Sequence, residues 1–132
     1  MRRAAAILLI APVLAGCTQP NTSTGSFKGE EKRVAQVIVD LSSDATRGKS
    51  AETCDQRLSK ALREKVAAGK TCASELKKAF EDADAAKLDV DDVAITGTTA
   101  TAKVQSDNLD STVTRTFRLV KEDSRWRIDS FG

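Results

Sequence analysis

The sequence predicts an α+β fold, with N-terminal helices packed on one face of a curved antiparallel sheet. Two observations carry this. Apolar residues recur at helical spacing from Glu30 to Phe80, then at a period of two from Val93 to Ile128. Helices first and strands after, with short polar stretches between the strands, favour segregated layers over alternating βαβ units. The 132 residues are enough for one domain and a tether.

The elements follow in order. Met-Arg-Arg opens the chain, an apolar run covers Ala4 to Ala15, and Gly16 and Cys17 follow. A charged start, a short apolar centre and small residues before a cut site describe a secretory signal peptide over 1–16. The run is too short for a bilayer, which needs about 20 residues of helix. Leu14-Ala15-Gly16-Cys17 resembles the lipobox of bacterial lipoproteins. The resemblance implies cleavage before Cys17, lipidation of its thiol and palmitate-type acylation. The protein would then be lipid-anchored on the extracytoplasmic side of a membrane in the cell envelope. Several acyl chains hold firmly, because each buried methylene contributes about 0.8 kcal/mol.

Residues 17–29 are rich in Thr, Ser, Gly, Asn and Pro and read as a lipidated flexible tether. Phe27 is expected to do no more than touch the domain, which spans 30–132. Val34, Val37, Ile38, Leu41 and Ala45 form one face of a first helix that stops at Gly48. Ser50 is a candidate N-cap for the next, and Ala51, Cys54, Leu58, Leu62 and Val66 continue the stripe to Gly69. Ser59 divides this stretch if it caps a separate helix. Thr71 caps a segment bearing Cys72, Leu76 and Phe80. Beyond it, Val93 and Ile95, then Ala100 to Val104, then Val113 to Lys121, then Trp126 and Ile128 read as a four-strand meander. Turns are expected at Gly97 and at Glu122-Asp123-Ser124, with a loop over 106–111.

Composition excludes several chemistries. Signal removal takes Arg2 and Arg3 from the 21 basic side chains and leaves 19 against 19 acidic, with no basic patch for nucleic acid. The absence of His rules out Ser-His-Asp triads and histidine metal ligands. With Cys17 used by lipid, Cys54 and Cys72 remain. In an oxidising compartment they read as a disulfide between two successive helices, with free thiols as the alternative. A metal site is disfavoured because two cysteines supply half a tetrahedral set.

The first amphipathic helix, the short helices around Cys54 to Phe80, the hairpin V-A-I-T-G-T-T-A-T-A-K-V and the closing L-V-K-E-D-S-R-W-R-I-D-S-F together resemble the nuclear transport factor 2-like superfamily. That resemblance implies a cone of helices against a strongly curved sheet. It supplies no activity, because fold alone does not set function. Enzymes of the superfamily pair Asp with Tyr, or His with Asp, and this chain has neither Tyr nor His. The expectation is a non-enzymatic domain that binds an envelope protein or a small ligand and needs no cofactor. The competing expectation is an isomerase, cyclase or hydrolase using a buried Asp in the cone cavity.

Individual candidates follow from phase. Arg115 alternates with Phe117 and Leu119, so strict alternation points it inward, where it could hold an anionic ligand at the cone mouth; a place at the sheet margin or next to a bulge is the alternative. Trp126 is in phase with Ile128 and reads as core, with a ligand platform as the alternative. Asp40 and Asp44 share a helix face and read as solvated, with Arg47 as the ion-pair partner of Asp44 rather than a catalytic dyad. Asp89, Asp91 and Asp92 lack the spacing of a calcium loop and read as a polar helix-to-strand junction.

Overall fold

A computed structural model describes residues 24–82, 87–108 and 110–132. The expected signal peptide over 1–16, Cys17 and residues 18–23 of the expected tether lie outside the described residues. Four helices precede four strands: α1 (Gly29–Thr46), α2 (Ser50–Gln56), α3 (Lys60–Ala67), α4 (Cys72–Asp82), β1 (Lys87–Thr96), β2 (Thr99–Asn108), β3 (Ser111–Glu122) and β4 (Arg125–Ser130). The strands pair in sequence order, every pair antiparallel. The fold class is the α+β arrangement expected, a curved four-strand sheet with helices to one side.

Local chemistry explains the helix limits. α1 ends in a paired-hydrogen-bond stop: the Lys49 N–H donates to Asp44 O (2.8 Å) and the Gly48 N–H to Ala45 O (3.2 Å). Gly48 sits at φ +67°, where a side chain would strain the backbone. Ser59 does cap a separate α3, since its Oγ accepts from the Leu62 N–H (3.0 Å). Thr71 likewise accepts from the Ser74 N–H (3.3 Å) at the start of α4. Ser50 departs from expectation. It is the first helical residue of α2, and Lys49 at the cap makes no side-chain capping hydrogen bond. The Thr53 hydroxyl instead donates back to Lys49 O (2.9 Å).

The strands are longer and their links tighter than the polar composition implies. Residues 106–111 are not a loop. β2 runs to Asn108 and pairs it with Ser111, the first residue of β3. Asp89 to Asp92 lie inside β1 rather than at a junction. Val90 and Val93 are three apart, so a regular strand would put them on opposite faces. Both are buried, because Val90 pairs with Val104 and Asp92 with Lys103, leaving Asp91 as an extra residue in a bulge. Asp123 and Ser124 both take positive φ in the β3–β4 turn, a geometry that matches the twist of the paired strands.

One core joins the layers. Val34, Ala35, Ile38 and Leu41 of α1 pack with Val90, Val93, Ala102, Val104, Phe117, Leu119, Trp126 and Ile128 of the sheet. Phe27 packs against this core, so the described chain is ordered before α1 begins. Cys54 and Cys72 form a disulfide that joins α2 to α4, as the compartment argument expects. Closing a loop of 18 residues adds about 3 kcal/mol in the chain-entropy model. The outer edge of β4 is covered as well. Ile128 donates to Arg57 O (2.7 Å) and accepts from the Ser59 N–H (2.8 Å), so the α2–α3 link adds a short parallel bridge.

Candidate ligand-binding site

The core-facing side of the sheet changes character along β3. From the β3–β4 turn inward, this side carries Lys121, Leu119, Phe117, Arg115 and Val113 at alternate positions. Leu119 and Phe117 are buried, with Ala100 and Ala102 of β2 opposite them. Two residues further on, the burial ends. Arg115 is exposed opposite buried Val104, and Val113 is 36% exposed opposite half-buried Ser106. Leu88 of β1, half-buried, pairs with Ser106 from the other side. Among the described residues, Val113 is the exposed large hydrophobic. The helices therefore fill one half of the concave face and leave the other half open.

The open half is bounded by the C-terminal residues. A bulge at Asp129 shifts the register, pairing Arg118 with Ser130 and Leu119 with Ile128. The shift lets Phe131 meet Phe117 edge to face, with ring centroids 5.5 Å apart. Gly132 then runs so close to β3 that an added Cβ would lie 2.9 Å from Thr116 O and 3.4 Å from Arg115 Cβ. Arg115 makes no hydrogen bond or ion pair within the described chain. Arg115 lies two residues from Val113 on the same side of β3 and next to Gly132, and its guanidinium offers a planar donor fork.

The structure does not bring Arg115 and Trp126 together. Trp126 pairs with Lys121, six residues along β3 from Arg115, a separation of about 20 Å at strand rise. It is 4% exposed and its indole N–H donates to Glu30 Oε2 (2.8 Å). Lys121 Nζ donates to the same oxygen (3.0 Å) and lies 5.5 Å from the indole centroid. The Trp126 hydrogen bond, then the Lys121 one, hold the Glu30 carboxyl below the usual glutamate range. This cluster fastens the start of α1 to the end of the sheet.

The carboxylate candidates fall elsewhere. Asp44 is 5% exposed, not solvated, and its partner is not Arg47. Arg57 Nε donates to Asp44 Oδ2 at 3.0 Å, and Arg57 also reaches Asp40 Oδ2 at 3.4 Å. Gln36 Nε2 donates to Asp40 Oδ1 (2.9 Å). The two carboxylates thus share a cation and form no proton-sharing dyad. The signal missed was Arg57, thirteen residues beyond Asp44, which no helical spacing links to it. The Asp89, Asp91 and Asp92 side chains are separated by the bulge, and among the described residues no three carboxylates or thiols converge on a metal position.

Among the described residues, a four-strand meander whose core-facing side is buried at Phe117 and Leu119 and exposed at Arg115 and Val113 defines a small α+β domain with an uncovered stretch of sheet. Residues 25–130 match the family described as "Putative lumazine-binding", and the chain belongs to that family. No curated protein and no solved structure matches the chain.

Proposed function

We propose that the chain is a non-catalytic domain that binds a small planar ligand of the lumazine type at the open half of its concave face, while tethered to a membrane through Cys17. The single observation that carries the ligand reading is the exposure of Val113 and Arg115 on the side of β3 that buries Phe117 and Leu119. Membership of the family supports the ligand class. The chemistry is compatible. Lumazine is a flat pteridine dione, and a guanidinium can donate in parallel to its carbonyl and ring acceptors while stacking on planar rings. Phe131 and Val113 would cover the ring faces and exclude water.

The non-catalytic reading rests on what the carboxylates do. Among the described residues the buried carboxylate is Asp44, and Arg57 occupies it. No acid–base group of the described chain is buried beside Arg115. The anchor reading rests on the charged start, the apolar run and the Leu14-Ala15-Gly16-Cys17 box. Among the described residues no helix is long and apolar enough to cross a membrane.

The ligand reading is tested by titrating the chain from residue 17 onward with lumazine and following ligand fluorescence anisotropy. Saturable binding is expected, weakened about tenfold or more by Arg115→Ala, since hydrogen bonds to charged groups contribute about 1.5–3 kcal/mol. An unsaturated signal up to millimolar ligand rejects the reading. The anchor reading is tested separately in cells, where Cys17→Ser should abolish acyl labelling and release the protein from membranes. Unchanged membrane association of that variant rejects it.

A further inference from the structure

We infer that the end of the domain where the tether enters is a docking surface for an anionic lipid bilayer, and that docking turns the open half of the concave face away from that bilayer. Four chain segments meet at this end. Phe27 brings the chain onto the core just before α1, and Glu30 binds Lys121 and Trp126 beside the β3–β4 turn. The Lys121 N–H donates to Thr98 O (2.8 Å), which places the β1–β2 turn there. Glu122 accepts from the Lys60 N–H (3.2 Å), which places the start of α3 there.

The charges at this end are sorted. Lys28, Lys32, Lys60 and Arg125 are exposed, and none has a side-chain hydrogen bond or ion pair within the described chain. The nearby acids Glu30 and Glu122 are already engaged, by Trp126, Lys121 and Arg33 and by the Lys60 N–H respectively. Glu31 and Asp123 remain unpaired, so four free cations face two free anions. The opposite end of the sheet lacks this excess: Asp107 and Asp110 are exposed there beside the unpaired Arg115, Asp107 accepts from Thr112 (2.8 Å), and Lys87 is paired with Asp89 (3.3 Å). Among the described residues the excess of unpaired cations therefore lies where the tether enters.

Reach and charge sign select the occupant. Residues 17 to 24 span at most about 25 Å when extended, so the basic end cannot leave the neighbourhood of an acylated Cys17. Juxtamembrane cations are drawn to anionic headgroups within a Debye length. Holding this end down leaves Arg115, about 20 Å along β3 from Lys121, on the far side. The inference takes from the anchor reading only the nearness of a membrane.

The test uses the unacylated chain from residue 17 onward with Cys17→Ser, so that lipid cannot anchor it. Sedimentation with vesicles of phosphatidylcholine containing about one-third phosphatidylglycerol is compared with pure phosphatidylcholine vesicles. Salt-sensitive binding to the anionic vesicles is expected. The triple variant Lys28→Glu, Lys32→Glu, Arg125→Glu should reduce it about tenfold or more, whereas Lys103→Glu with Arg118→Glu on the outer sheet face should not. Thermal melting of both variants checks that they fold, and Arg125→Glu alone replaces the triple variant if it does not. Equal binding to the two vesicle types, loss through the outer-face variant, or no loss through the tether-end variant each overturns the inference. None of these outcomes bears on the anchor, which acyl labelling of Cys17 reads independently.

Discussion

At the residue scale, Arg57 and Glu30 show how charge is used to fasten α1. Asp44 lies on a helix face that pattern alone makes polar, yet it is buried because Arg57 comes to it from the α2–α3 link. Removing the cation leaves a buried carboxylate unpaired. Arg57→Ala is expected to destabilise the fold by about 2–3 kcal/mol, at or below the low end for breaking a buried pair, since the guanidinium is 19% exposed. Urea unfolding measures this, and a change under about 0.5 kcal/mol would contradict the role. Glu30 makes a prediction about pH. Its folded-state acidity is strengthened by the Trp126 and Lys121 hydrogen bonds. Its stabilising contribution is therefore complete above the ordinary glutamate pKa of about 4.3 and is lost as pH falls through its lower folded value. Glu30→Gln should lower the urea midpoint at pH 7, and the gap to the parent should close on acidification. A gap that stays constant from neutral to acid pH would refute the assignment. Neither partnership could be seen in the sequence, because Asp44 and Arg57 are thirteen residues apart and Glu30 and Trp126 are ninety-six.

At the element scale, the positions of helices and strands were legible because burial imposes period on both. The α1 stripe, the Ser59 and Thr71 caps and the four-strand order follow from local pattern. What escaped the pattern was irregularity. The bulge at Asp91 lets Val90 and Val93 share a face, and the one at Asp129 brings Phe131 over Phe117. A bulge is one extra residue whose presence is decided by which side chains the partner strand and the helices bury, so period-two counting breaks at that point. The polar run at 106–111 was misread for a related reason. Asp107, Asp110 and Ser111 are exposed, and strand pairing there is held by backbone bonds and by Thr112 donating to Asp107 rather than by an apolar face.

At the scale of the whole molecule, the open half of the concave face is the difference between the length of the strands and the reach of the helices. β3 runs for 12 residues, and its first six are exposed. Arg115 was legible as a core-facing residue from its alternation with Phe117. Its exposure was not, since that depends on where α1 ends against the sheet and on the path of Phe131 and Gly132. The ligand proposal turns on whether a small planar ligand binds at this open half. Backbone amide chemical-shift mapping during a lumazine titration tests it most directly. Shifts are expected at Leu88, Ser106, Val113, Arg115 and Phe131, with Thr101, Lys103 and Thr116 on the outer face unchanged. Shifts confined to the outer face, or none at saturating ligand, would contradict it.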